Sequence, residues 1–171
     1  MLLLQRACGA KFVVALTAVL ALSACAKNTA EDAAGNLAGG GYGRGGVASP
    51  GSQQDFVVNV GDRIFFETDS TELTSTAQAT LDKQAEWLNR YARYRFTMEG
   101  HADERGTREY NFALGARRAE VAKNYLIARG VSGSRIRTVS YGKERPVAVC
   151  DDISCWSQNR RAVTVLSRGN S

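Results

Sequence analysis

The 171-residue chain never strings together the roughly 20 apolar residues that a bilayer-spanning helix needs. Its apolar run from Phe12 to Leu22 stops at 11 residues. Histidine is all but missing. His101 stands alone, and with Glu99, Asp103 and Glu104 around it the set is a poor match to zinc ligation, so no metal is expected. The net charge is only +5, and +3 once Arg6 and Lys11 are set aside with the N-terminal segment. Nucleic-acid binding rests on a concentrated basic face, so nucleic acid is not an expected partner. What is present is ordinary for a globular protein: 44% hydrophobic residues and enough length for one domain with appendages.

Arg6 and Lys11 precede the Phe12–Leu22 run, which has the length of a signal-peptide core. Leu22-Ser23-Ala24-Cys25 follows directly, and these small residues before a cysteine resemble the lipobox at which bacterial lipoproteins are cleaved and diacylated. The expectation is a signal peptide over residues 1–24 and lipid on Cys25. One acyl chain holds a membrane only marginally, and the several chains of this modification supply stable attachment. Ala26 stands where an aspartate commonly retains such proteins in the inner membrane, which favours the outer membrane with the rest of the chain facing the periplasm. Residues 25–54 are rich in Gly, Ala, Ser and Asn around Gly39–Gly46. Such a segment buries too little apolar area to offset its ordering entropy, so it reads as a flexible tether. Its root-mean-square span is roughly 30 Å, and about 100 Å when stretched.

A domain over residues 55–171 follows, with its elements between Asp55 and Ser167. Phe56-Val57-Val58 opens it, and Arg63–Phe66 reads as a short strand. Leu73, Ala77, Leu81, Ala85 and Leu88 recur at helical spacing, giving an amphipathic helix from Thr74 to Tyr91. Arg95–Glu99 alternates as a strand. A second helix starts at Thr107, whose hydroxyl caps it, with Glu109 at the positive end of the dipole. Tyr110, Leu114, Val121 and Tyr125 form its apolar stripe, and Gly130 stops it. Arg135–Tyr141 and Arg161–Leu166 alternate as two further strands. The order strand, helix, strand, helix, strand, strand predicts an α/β two-layer sandwich, with the helices on one face of a mixed sheet.

The run Glu99-Gly-His-Ala-Asp-Glu-Arg-Gly-Thr107 joins the second strand to the second helix. It sets charged groups at a strand's carboxyl end beside free backbone N–H groups at a helix start, where α/β sheets bind ligands and carboxylates are attracted. Seven residues are nearly two helical turns, so Asn111 and Arg118 share a face while Arg117 is turned about 100° away. Asp103 can then meet an ammonium while Arg118 forks onto a carboxylate. A site with both suits a zwitterion. By composition and spacing alone, Asp103 and Arg118 fit a plain structural ion pair equally well.

Glu99–Asn111 followed by Leu114-Gly-Ala-Arg-Arg-Ala119 resembles the motif of the OmpA-like peptidoglycan-binding family, in the form found in peptidoglycan-associated lipoproteins. Val139–Pro146 and Asn159-Arg-Arg-Ala-Val163 match its later blocks, so the resemblance runs from about Val60 to Val165. It implies an OmpA-like fold and a non-catalytic role: holding the outer membrane to the wall by non-covalent binding of meso-diaminopimelate in the wall peptide. The family's roles then fall on Asp103 for the ammonium and Arg118 for the carboxylate. Thr68 and Asp69 of the first-strand loop line the pocket, with Arg105, Asn111 and Leu114. The resemblance also implies a protein partner, the periplasmic propeller TolB of the Tol system, and through it a part in envelope integrity and cell division. No cofactor is implied.

Two departures from the family pattern stand out. Thr68 occupies a place that is more often aromatic, so its contact is expected through backbone alone. Cys150 and Cys155 are additional, and in an exported protein they read as a disulfide closing a short loop before the last strand. A metal or catalytic role for the pair is the alternative. His101 reads as a pocket-wall or core residue. At least one of Arg105, Arg160 and Arg161 shapes the pocket, and spacing does not choose among them. A wall hydrolase is the competing class, but it requires an activated nucleophile, paired carboxylates across a sugar cleft, or a three-ligand zinc, and none is assembled in the sequence. A stator-type protein would carry a transmembrane helix where this chain has a lipobox.

Overall fold

The computed structural model describes residues 48–168. The expected signal peptide, the lipidation site at Cys25 and residues 26–47 of the tether lie outside the described residues. Four strands, β1 (Arg63–Phe65), β2 (Tyr94–His101), β3 (Ile136–Gly142) and β4 (Arg161–Arg168), form one sheet in the order β1-β4-β2-β3. β4 runs antiparallel to β1 and β2, while β2 and β3 are parallel. A parallel pair needs a crossover, which the long helix between them provides.

Two main helices, α2 (Ser75–Arg90) and α3 (Arg108–Ala128), cover one face of the sheet. Both begin on a threonine whose hydroxyl accepts a backbone N–H three residues on: Thr74 from Ala77 at 3.1 Å and Thr107 from Tyr110 at 3.2 Å. α3 ends in a Schellman motif, because Gly130 at φ +90° lets its N–H reach the Ile127 carbonyl and the Val131 N–H reach that of Leu126. Alternation along β2 turns Tyr94, Phe96 and Met98 inward, where they meet Leu81 and Leu88 of α2 and Ala119, Ala122 and Leu126 of α3.

The sequence stripe on α3 needs correction. Tyr110 is 45% exposed and Val121 and Tyr125 are only partly buried. The buried face instead carries Asn111, Leu114, Gly115, Arg118, Ala119, Ala122 and Leu126. Small residues are required there, because α3 lies almost against the sheet backbone. A Cβ added at Gly115 would sit 2.9 Å from the Gly100 carbonyl oxygen, and one at Gly100 would overlap the Gly115 carbonyl. A face of one glycine, two alanines, two polar side chains and only two leucines gives a weak apolar period, so the larger neighbouring residues mislead.

Two further elements were not read from the sequence. A short helix, α1 (Gln53–Asp55), continues as a wider turn through Phe56–Val60, so the Phe56-Val57-Val58 run opens the fold as helix. Phe56 is fully buried against the Trp87 ring, 4.9 Å between centroids, and Asp55 accepts the Trp87 indole N–H at 2.8 Å. A seven-residue helix, α4 (Ile153–Asn159), precedes β4. Asp152 caps it, and Cys155 on its first turn is bonded to Cys150 with Cα atoms 5.8 Å apart.

Candidate functional site

The loop after β1, the loop from β2 to α3, the first turns of α3 and the end of α4 converge on one cavity of about 200 Å³. That volume suits an amino-acid head group and falls below the usual range for larger ligands. All seven residues singled out in the sequence line it: Thr68, Asp69, Asp103, Arg105, Asn111, Leu114 and Arg118. Gly106, Tyr110 and Arg160 complete the wall.

Asp103 is nearly buried and sits between two guanidiniums. Arg105 approaches at 2.6 Å and Arg160 at 3.4 Å, and the Arg105 backbone N–H also donates to it at 3.2 Å. Burial pushes the carboxyl pKa up, but the hydrogen bonds and charge of Arg105, with help from Arg160, outweigh it and hold Asp103 below the ordinary carboxylate range. Asp69 is the only non-glycine residue at positive φ among the described residues, at +53°, and its carboxylate accepts the Tyr110 hydroxyl. Asn111 fixes the β2–α3 loop by donating to the Arg105 carbonyl at 2.7 Å.

Arg118 is fully buried and does not pair with Asp103. Its Nε donates to the Ser70 carbonyl at 3.0 Å, Nη1 to His101 at 2.9 Å and Nη2 to Glu67 at 3.1 Å. The plain ion-pair reading therefore fails, and a second role appears: Arg118 clamps the β1 loop to the end of β2. Two of its five N–H bonds remain for a ligand. Burial and the nearby Arg160 charge lower its pKa to about 10, so it stays cationic at neutral pH. Arg117, one residue earlier, is exposed and outside the cavity. In all, two carboxylates face three guanidiniums across the cavity.

Of the three arginines left open by the sequence, Arg105 and Arg160 line the cavity and Arg161 does not. Arg161 is buried elsewhere, donating to the carbonyls of Asn159 and Arg145. Spacing does not single out Arg160 because its position depends on α4, which ends on it and turns its Nε onto the Phe66 carbonyl at 3.0 Å. Tyr110 falls on the apolar stripe expected from the sequence, yet its exposure at the helix start is what puts its hydroxyl on Asp69.

His101 lies behind the site, 2% exposed, with neither ring nitrogen hydrogen-bonded among the described residues. Glu99 is 3.7 Å away, the Tyr141 ring lies 5.5 Å off, and Arg145 stacks on Tyr141. Burial, then the charges of Arg161 and Arg145, depress its pKa from 6.5 to about 4. The unfolded chain thus takes up this proton first, and stability falls as pH drops from 6.5 toward 4, by about 1.4 kcal/mol per unit at most. Urea midpoints measured from pH 7 to pH 4.5 should show this loss, and His101→Phe should flatten it. The low carboxylates Asp55 and Asp103 add their own loss from about pH 5 downward, overlapping only the acid end of that window. An unchanged slope in His101→Phe would assign the acid sensitivity elsewhere.

Residues 65–160, which include every residue lining this cavity, are matched by the model of the OmpA family. The peptidoglycan-associated lipoprotein of Rhizobium meliloti (strain 1021) is 65% identical over 161 residues, covering 93% of this chain and 89% of that protein. That of Pseudomonas aeruginosa is 42% identical, covering 86% and 91%. The chain belongs to the OmpA family, and within it to the peptidoglycan-associated lipoproteins. The crystal structure of the peptidoglycan-associated lipoprotein from Burkholderia pseudomallei superposes with a TM-score of 0.63 at 36% identity, over 67% of this chain and 98% of that one. The C-terminal domain of Helicobacter pylori MotB, at 22% identity, TM-score 0.59 and coverage of 64% and 86%, shares the fold.

Proposed function

We propose that the protein is a non-catalytic lipoprotein of the outer membrane that anchors this membrane to peptidoglycan, its cavity taking the free zwitterionic end of meso-diaminopimelate in the wall peptide. The observation that carries this reading is the cavity itself: head-group-sized and lined by Asp103 and Asp69 together with Arg118, Arg105 and Arg160. In this reading Asp103, with Asp69 across the cavity, meets the ammonium, while Arg118 meets the carboxylate with its two remaining N–H bonds. Lipid on Cys25 holds the chain to the membrane, and the tether lets the domain reach the wall from the periplasmic side. The names of its relatives support wall association. Partnership with TolB and the Tol system, and a part in envelope integrity and cell division, rest on the family resemblance alone.

Hydrolysis fits the cavity less well. Two-carboxylate hydrolysis needs both groups free to meet a sugar, whereas Asp103 is held by two guanidiniums at 2.6 and 3.4 Å and the Asp69 carboxylate accepts the Tyr110 hydroxyl.

The full chain, extracted in detergent, should sediment with purified peptidoglycan, release no soluble muropeptides, and be displaced by free meso-diaminopimelate. Mass spectrometry of the same preparation should show residues 1–24 removed and acyl chains on Cys25. Muropeptide release would replace the anchor with an enzyme. Sedimentation unaffected by meso-diaminopimelate would move binding away from this cavity.

A further inference from the structure

Trp156 does not line the cavity, yet its ring lies 4.2 Å below the Arg105 guanidinium carbon. Its indole N–H donates to Glu104, the neighbour of Arg105 in the same loop. Arg105 is the closest partner of Asp103, at 2.6 Å, although its own side chain is 39% exposed. An exposed arginine loses much of an ion pair's value to rotamer freedom and screening. A flat aromatic face against the guanidinium removes part of that freedom and adds cation–π attraction.

The helix that presents Trp156 is built to stay in place. Seven residues are too few to hold a helix without help. The Cys150–Cys155 bond pins its first turn, and the Asn159 side chain at its end binds the Val147 N–H at 2.8 Å and the Ala148 carbonyl at 2.7 Å. Lys143 supports the same β2–α3 loop, donating to the Glu104 and Gly106 carbonyls at 3.1 and 2.7 Å.

Resting on the proposed ligand reading, we infer that Trp156 is a positioning residue for the zwitterion site: held by the disulfide-pinned α4, it fixes Arg105, which orients the Asp103 carboxylate toward the ligand's ammonium. Trp156 acts through Arg105 and touches no ligand. Its loss should therefore weaken binding only where Arg105 is present.

Binding of meso-diaminopimelate to the full chain is measured by calorimetry, with thermal melts on every variant. Trp156→Leu, which keeps apolar bulk but no π face, should weaken binding roughly 3- to 30-fold. Trp156→Phe should recover most of it. In an Arg105→Ala background, Trp156→Leu should add nothing, since the two act as one unit. Equal losses in both backgrounds would overturn the inference in favour of a general effect on α4. So would unchanged binding by Trp156→Leu, or a phenylalanine as poor as leucine. Asp103→Asn separates the two levels: if it loses binding while Trp156→Leu does not, only the inference about Trp156 fails. If neither variant changes binding, the cavity reading fails and takes the inference with it.

Discussion

Arg118→Ala is expected to cost about 3–5 kcal/mol of folding stability in addition to ligand binding, a drop in Tm of about 10–20 °C for a domain of this size. The expectation follows from where its donors go. One buried guanidinium satisfies the carbonyls of Glu67 and Ser70 in the β1 loop and of His101 at the end of β2. Truncation leaves the buried His101 carbonyl unmet, frees the half-buried carbonyls of Glu67 and Ser70, and opens a void where the largest fully buried side chain among the described residues stood. Arg118→Lys should recover little, because a compact ammonium on a flexible stem cannot reach three carbonyls set for a planar fork. Arg117→Ala, at an exposed position, should change stability by no more than about 0.5 kcal/mol. Chemical denaturation of the three variants decides the matter. An Arg118→Ala protein as stable as wild type would mean that the loop does not depend on the clamp, leaving Arg118 a ligand contact alone.

This double role explains both what the sequence revealed and what it hid. Seven-residue spacing put Asn111 and Arg118 on one helical face and Arg117 off it, because helix geometry is local. Thr107 as a cap and Gly130 as a stop were legible for the same reason: each is one side chain acting on backbone within a few residues. The carbonyls that Arg118 binds come from positions far away in sequence, and no local pattern reports them. α4 is a case of short length, since seven residues give hardly two turns in which a period could show. Arg160 and Trp156 take their places from α4, so spacing alone does not locate either of them. The α3 stripe was misread because close approach of Gly115 to Gly100 demands small residues where a period search looks for large ones. The α/β sandwich itself survived these errors, since it rests on the alternation in β2 and β4 and the period of α2.

Asp103→Asn is expected to lower affinity for meso-diaminopimelate and for peptidoglycan by more than tenfold, a loss of about 2–5 kcal/mol if the ligand's ammonium is desolvated in the cavity. The substitution keeps size and removes one negative charge. The wild-type cavity sets two carboxylates against three guanidiniums, so neutralising Asp103 leaves Asp69 alone against Arg105, Arg118 and Arg160. A cationic group entering that site meets an excess of like charge. Folding should suffer as well, because Arg160 is almost wholly buried and loses its only carboxylate partner among the described residues. Circular dichroism and a melt must therefore accompany each titration. Asp69→Asn provides the comparison: its carboxylate is exposed and accepts from Tyr110, so its loss should weaken binding less and leave the fold unchanged. Should Asp69→Asn abolish binding while a folded Asp103→Asn protein binds normally, the ammonium belongs at the mouth of the cavity beside Tyr110. Asp103 would then be a structural counter-ion, holding Arg105 and Arg160 in the wall.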